Sequence, residues 1–198
     1  MSAPLILAST SPYRRELLSR LRIPFETVRP LVDETPLPGE SAAETAERLA
    51  YAKAADVAAR FPSACVIGSD QVALLHEQQL GKPGNYARAF LQLQAMRNQT
   101  MVFHTALCVI DGPSGQVQRA VVPYEVKLRN YTDAQIDRYL RAETPYDCAG
   151  SAKTEGLGVI MLEWMRGDDP TALIGLPLIA LVGMLANTGM CLPADDAA

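Results

Sequence analysis

The sequence predicts an α/β protein: a mixed β-sheet with helices flanking it. Three observations lead there. A short apolar run, Leu5–Ala8, is followed at once by a capped helix start. A long amphipathic helix, Ser41–Arg60, leads into a second apolar run, Ala64–Gly68. Two strand-like stretches, Thr100–Ile110 and Val117–Leu128, bracket Asp111-Gly-Pro-Ser-Gly115, the composition of a hairpin turn. Strands that mix with helices, plus one hairpin, point to α/β or α+β with a mixed sheet, and α/β is the class expected here.

The elements follow in order. Ser11 is placed to cap the first helix and Pro12 to open it, with Leu17, Leu18 and Leu21 on its apolar face. Phe25–Val28 reads as a short strand. Arg29–Gly39, with three prolines, reads as loop. Ser41 and Glu44 form a capping box for the long helix, whose Leu49, Ala50, Ala54 and Val57 face a core. Ala64–Gly68 is a buried strand ending at Ser69-Asp70-Gln71, and Val72–Leu75 continues it or begins another. Leu80–Gly84 is a turn, and Asn85–Met96 a helix anchored by Phe90 and Leu93. After the hairpin, Thr132–Arg141 is a helix capped by Thr132 with Gln135, and Tyr146–Gly158 is irregular. Val159–Leu162 is a strand, Gly167–Pro170 a turn and Leu176–Asn187 a closing helix stopped at Gly189.

Composition bounds the function. The chain has 198 residues, enough to bury a core without staples, and its 48% apolar and 20% charged content is that of a globular protein. A net charge of −4 without a basic block argues against nonspecific nucleic-acid binding. Cys65, Cys108, Cys148 and Cys191 lie far apart and lack zinc-site spacing; the first two fall in apolar runs and read as buried thiols. No basic-then-apolar leader opens the chain, and Ala172–Ala186 is too short to span a bilayer, so a cytoplasmic protein is expected.

Few residues look chemical. Arg14 and Arg15 stand in the first turn of a helix, at the positive end of its dipole, where carboxylates are favoured. With the hydroxyls of Ser9 and Ser11 and free backbone N–H groups they would suit a phosphate; the ordinary reading is a capped helix with solvated arginines. Asp70 at a strand end is placed for base or metal work, or is a turn former. Asp33 and Glu34 lie in the proline-rich loop, Lys53 on the long helix and Lys82 in a Gly-Lys-Pro turn that lacks Walker A spacing. His76 and His104 are isolated, and no serine elbow or Cys/His signature is present, so covalent catalysis is not indicated.

The opening Ser9-x-Ser11-Pro12-x-Arg14-Arg15-Glu16-Leu17-Leu18 resembles the signature of the Maf family of nucleotide pyrophosphatases. Further segments match in order: Asp33-Glu34, Lys53, Ile67–Gln71, Gly81–Pro83, Asp147–Gly150, Glu155-Gly156 and Gly175–Pro177. The resemblance covers nearly the whole chain. It implies one Maf-like, inosine-triphosphatase-like domain over residues 1–198, elongated and two-lobed with a central cleft. It implies Asp70, Lys53 and Lys82 as catalytic residues and Glu34 with Asp70 as ligands of a divalent cation, Mg²⁺ or Mn²⁺. Ser9, Ser11, Tyr13, Arg14, Gln71 and Glu155 would bind a nucleotide, and a homodimer is expected. Where the dTTP- and UTP-cleaving branch carries Arg, Thr and Gln, this chain has Tyr13, Gln71 and Glu155, which resembles the branch acting on 7-methyl-GTP. A cationic methylated guanine stacks well on an aromatic ring, and a carboxylate accepts from guanine N1–H and its 2-amino group. The alternatives are dTTP/UTP pyrophosphatase activity, or a nucleotide-binding regulator of cell division without turnover.

Overall fold

The computed structural model describes residues 3–193. It is a mixed α/β fold with a seven-stranded sheet. In chain order the strands are β1 (Leu5–Leu7), β2 (Glu26–Thr27), β3 (Cys65–Leu75), β4 (Gln78–Leu80), β5 (Thr100–Asp111), β6 (Val117–Leu128) and β7 (Leu162–Arg166). The helices are α1 (Pro12–Ser19), α2 (Ala42–Arg60), α3 (Tyr86–Met96), α4 (Asp133–Glu143), α5 (Pro170–Ile174) and α6 (Leu178–Asn187). The sheet order is β2-β1-β3-β5-β6-β7, with β4 paired antiparallel to β3. β1 runs parallel to both β2 and β3, while β7 is antiparallel to β6, so the sheet is mixed as expected. Among the described residues no helix is long and apolar enough to cross a membrane.

The chain divides into two compact units. The first holds residues up to Gln71, Thr105–Val122 and the stretch from Asp169 on. Its core gathers Leu5 and Leu7 of β1, Leu17 and Leu18 of α1, Ile67 of β3, Leu107 and Val109 of β5, and Leu181 and Leu185 of α6. The second holds Val72–His104 and Pro123–Asp168. There α3 packs on α4, burying Leu93 and Met96 with Ile136, Tyr139 and Leu140. The capping residues act as expected: Ser11, Ser41 and Thr132 each accept from the backbone N–H three residues on, and Ser41–Glu44 and Thr132–Gln135 close as capping boxes. Cys65 and Cys108 are buried and free, and burial pushes both thiols up to about 11.

Four expectations are corrected. First, β3 does not end at Ser69-Asp70-Gln71; it runs through to Leu75, so Asp70 lies mid-strand. Turn-prone residues stay extended there because each side chain finds a tertiary partner. Second, residues 78–80 form the added strand β4. Third, of the strand expected at Val159–Leu162 only Leu162 is extended: Leu157–Met161 is a 3-10 helix, and the strand runs from Leu162 to Arg166. β7 is selected by pairing with β6 rather than by apolarity, which an edge strand does not require. Fourth, the closing segment is two helices. Asp169 caps α5, its Oδ1 accepting from Thr171 N at 2.9 Å, while its Oδ2 accepts from Ile179 N of α6 at 2.8 Å.

One close approach positions the site. A Cβ on Gly68 would fall on the Ala50 carbonyl oxygen and lie 2.8 Å from Ala54 N, so α2 lies directly on β3. Lys53 is carried on that stretch of α2. Gly68→Ala is expected to push the helix away and cost about 1–3 kcal/mol, as overpacking does. Urea denaturation measures this, and an unchanged midpoint would show that the helix can shift freely.

Candidate active site

Lys53 is the organising residue. The buried stripe of α2 runs Ala42, Thr45, Ala46, Leu49, Ala50, Lys53, Ala54, Val57, so a lysine occupies a core position. Only 5% of it is exposed. An ammonium at such a place must be paired. Its Nζ lies 2.6 Å from Asp70 Oδ1 and 2.8 Å from Glu34 Oε1. Asp70 is itself buried on β3, while Glu34 reaches in from the loop before α2 with much of its side chain in solvent.

That loop is strapped to α2 along its length. Arg60 donates to Arg29 O at 2.8 Å, Leu31 N donates to Asp56 Oδ2 at 3.0 Å, and Arg48 Nη2 donates to Thr35 O at 3.2 Å. Arg48 also grips Glu40 with Nε at 2.5 Å and Nη2 at 2.8 Å. Asp33 turns inward on its own loop, accepting from Thr35 N and Oγ1, and does not join the Lys53 cluster. Glu34 is thus held opposite Lys53 by polar contacts on both sides of it.

Arg14 enters from α1. Ser11 Oγ caps that helix by accepting from Arg14 N, and Ser9 Oγ accepts from Ser11 N at 3.1 Å. Arg14 Nε donates to Gly175 O at 2.8 Å, and Ser69 Oγ donates to the same oxygen at 3.0 Å. Desolvation lowers the guanidinium pKa from its ordinary value, opposed by the charges of Asp70 and then Glu34. Arg14 therefore feels the same carboxylates as Lys53. Ser9, Ser11 and the exposed Arg15 line a cavity of about 900 Å³ beside the helix start. Tyr13, in the first turn of α1, is half-buried.

Gln71 follows Asp70 and is held from the other side. Its Nε2 donates to Thr105 Oγ1 at 2.9 Å, Ala172 O at 2.9 Å and Leu173 O at 3.0 Å. A ligand meeting Gln71 would meet its amide oxygen. The carbonyls of residues 172–175 thus orient Gln71, Ser69 and Arg14 together. Sequence reasoning assigned no role to Ser69, Thr105 or Asp169; the signals present were the Ile67–Gln71 segment, which contains Ser69, and the Gly175–Pro177 motif, which marks where the carbonyls turn toward β3.

Lys82 and Glu155 belong to the second unit. Lys82 is exposed in a turn fixed by Gln92 Nε2, which donates to Gly81 O at 3.0 Å, and by Gly84 N, which donates to Tyr146 O at 2.9 Å. Glu155 is exposed in a turn in which Gly156 N and Gly158 N both donate to Lys153 O. The first unit therefore brings Glu34 and Asp70 to Lys53, with Arg14 in the field of both carboxylates; Gln71, next along β3, is held on the opposite face by Thr105 and residues 172–173, and the second unit holds Lys82 and Glu155. His76 sits in a turn, and burial lowers the pKa of His104 on β5.

A family model described as Maf-like protein matches residues 4–188. The chain belongs to the Maf family. It is 61% identical over 185 residues to a Cupriavidus metallidurans protein named 7-methyl-GTP pyrophosphatase, covering 93% of each chain. Relatives of the same name occur in Polaromonas sp., 59% identical over 98% of this chain and 89% of that one, and in Thiobacillus denitrificans, 58% identical over 96% and 94%.

The donor set of this Maf site fits a small divalent cation. Among the described residues no three His, Cys, Asp or Glu side chains gather as a metal cage. Two carboxylates already converge on one cationic centre, the Lys53 ammonium. Mg²⁺ is commonly held by one or two carboxylates, with water and substrate phosphate supplying the rest.

Two outcomes are expected. Lys53→Met leaves Asp70 buried without its counter-charge and should cost about 3–5 kcal/mol in denaturant melts; a loss under about 1 kcal/mol would mean water replaces the lysine. Arg48 holds the Glu40 carboxyl down at about 2, against an ordinary 4.5. Because the folded value is depressed, this grip contributes fully above about pH 4.5 and is lost as pH falls toward 2. An NMR titration of the Glu40 carboxyl checks it, and a midpoint near 4.5 would contradict the grip.

Proposed function

We propose that this Maf protein hydrolyses 7-methyl-GTP to 7-methyl-GMP and pyrophosphate, removing a modified nucleotide. The observation that carries the reaction is a buried lysine shared by two carboxylates beside Arg14, in a chain whose close relatives bear the name of that activity. Asp70 accepts the proton of the attacking water. The water oxygen bonds to the α-phosphorus, the bond to the bridging oxygen breaks, and pyrophosphate departs. Arg14, Lys53 and Lys82 stabilise the charge that grows on the phosphate oxygens. Glu34 and Asp70 would hold a divalent cation, Mg²⁺ or Mn²⁺, which when bound would screen the triphosphate charge. Ser9 and Ser11 shape the phosphate end of the site.

Tyr13, Gln71 and Glu155 select the base. N7-methylation makes guanine cationic, which favours both the Tyr13 ring and the Glu155 carboxylate. Glu155 accepts from N1–H and the 2-amino group, a donor pair that uracil and thymine lack. Gln71 offers an oxygen acceptor because its nitrogen is occupied.

A pyrophosphate-release panel of 7-methyl-GTP, GTP, dTTP and UTP tests this, with Mg²⁺ and with chelator. The highest kcat/KM should fall on 7-methyl-GTP, and chelation should abolish turnover. Preference for dTTP or UTP would place the chain in the other branch, and binding without release would make it a regulator. Asp70→Asn should lose at least about 100-fold in kcat, the usual contribution of a general base. Activity within about threefold of the parent would remove Asp70 from that role.

A further inference from the structure

Glu143 is the last residue of α4, where the helix dipole disfavours a carboxylate. It is not left to solvent there; its side chain is 14% exposed. Its Oε1 lies 3.0 Å from Lys153 Nζ, and its Oε2 accepts from Leu157 N at 2.8 Å. Those two bonds grip either end of the turn that carries Glu155. The turn is built around this carboxylate: a Cβ on Gly156 would stand 2.9 Å from both Glu143 oxygens. Lys153 is fixed further by its own N–H, which donates to Tyr139 OH at 3.0 Å, and Tyr139 OH donates to Ser151 O at 3.1 Å. Charge agrees with the geometry. The Leu157 bond and then Lys153 hold the Glu143 carboxyl below its ordinary value, and Glu143, with a smaller contribution from Glu155, raises Lys153.

We infer that Glu143 is a positioning residue for base recognition: it clamps the Lys153–Leu157 turn so that Glu155 is presented in one orientation. The inference rests on the reading of Glu155 as the residue that meets the base. An exposed glutamate on an irregular turn loses side-chain and backbone freedom when it binds, and a turn already held pays that cost in folding. A clamp of this kind acts on substrate binding rather than on bond breaking. Its removal therefore raises KM more than it lowers kcat. The clamp uses two different bonds, so it can be loosened from either side: from the carboxylate, or from Lys153.

The test is a double-mutant cycle between Glu143→Gln and Glu155→Gln, with Lys153→Met as a second way to open the clamp. In the parent background, Glu143→Gln should lower kcat/KM for 7-methyl-GTP roughly tenfold, the scale of one charge-assisted hydrogen bond, with kcat within about twofold. The preference for 7-methyl-GTP over GTP should narrow with it. Lys153→Met should do the same. In the Glu155→Gln background both effects should shrink below about twofold, because the two residues act as one unit. Equal losses on every nucleotide, additive with Glu155→Gln, would make Glu143 merely structural and overturn the proposal. If the parent prefers another nucleoside triphosphate, the substrate reading fails, and the cycle is read on that nucleotide. Coupling there still assigns the clamp, and additivity there still refutes it.

Discussion

A lysine in the apolar stripe of a helix is the constraint around which the first unit is arranged. Lys53 could not remain there as an isolated charge, since desolvating an unpaired ammonium is prohibitive. Its two carboxylates arrive by different routes. Asp70 comes from a strand against which α2 is pressed at Gly68. Glu34 comes from a loop without secondary structure, and so that loop has to be tied down. Arg48, Asp56 and Arg60, on the same helix as Lys53, do this. One helix therefore supplies the cation, the straps for one carboxylate and the packing surface for the other.

Arg14 and Glu143 are charges of the wrong sign for their helix ends, and each is compensated from outside its own helix. Arg14 lies at the positive end of α1, and Glu143 at the negative end of α4. Neither is compensated within its own helix. Arg14 is turned toward Gly175 O and lies in the field of Asp70 and Glu34, while Glu143 is paired with Lys153 and the Leu157 amide. A local rule is broken at each end, and in each case the compensation is a contact distant in sequence or a neighbouring turn.

The short helix α5 is a second organising device. Asp169 is buried and binds the amide ends of both α5 and α6, fixing how the chain turns between them. Carbonyls at the far end of α5 then receive Gln71, Thr105, Ser69 and Arg14. The orientation of residues from three separate segments thus depends on one capped helix of five residues.

By itself the sequence determined the elements whose causes are local. The Ser11, Ser41 and Thr132 caps, the stripe of α2, the β5–β6 hairpin turn and the stop after α6 follow from side chains within a few residues of one another. The ordered motifs also made the Maf family legible. Tertiary structure decided the rest. Ser69-Asp70-Gln71 reads as a turn until Lys53, Gly175 and Thr105 hold it extended. Residues 159–162 read as a strand, yet 157–161 form a 3-10 helix and the strand runs over 162–166, because only the residues from 162 on find β6. The partners of Lys53 and the clamp at Glu143 are likewise invisible locally. A buried charge is stable only when chain segments far apart in sequence meet, and which segments meet is fixed by packing rather than by any residue's own preference.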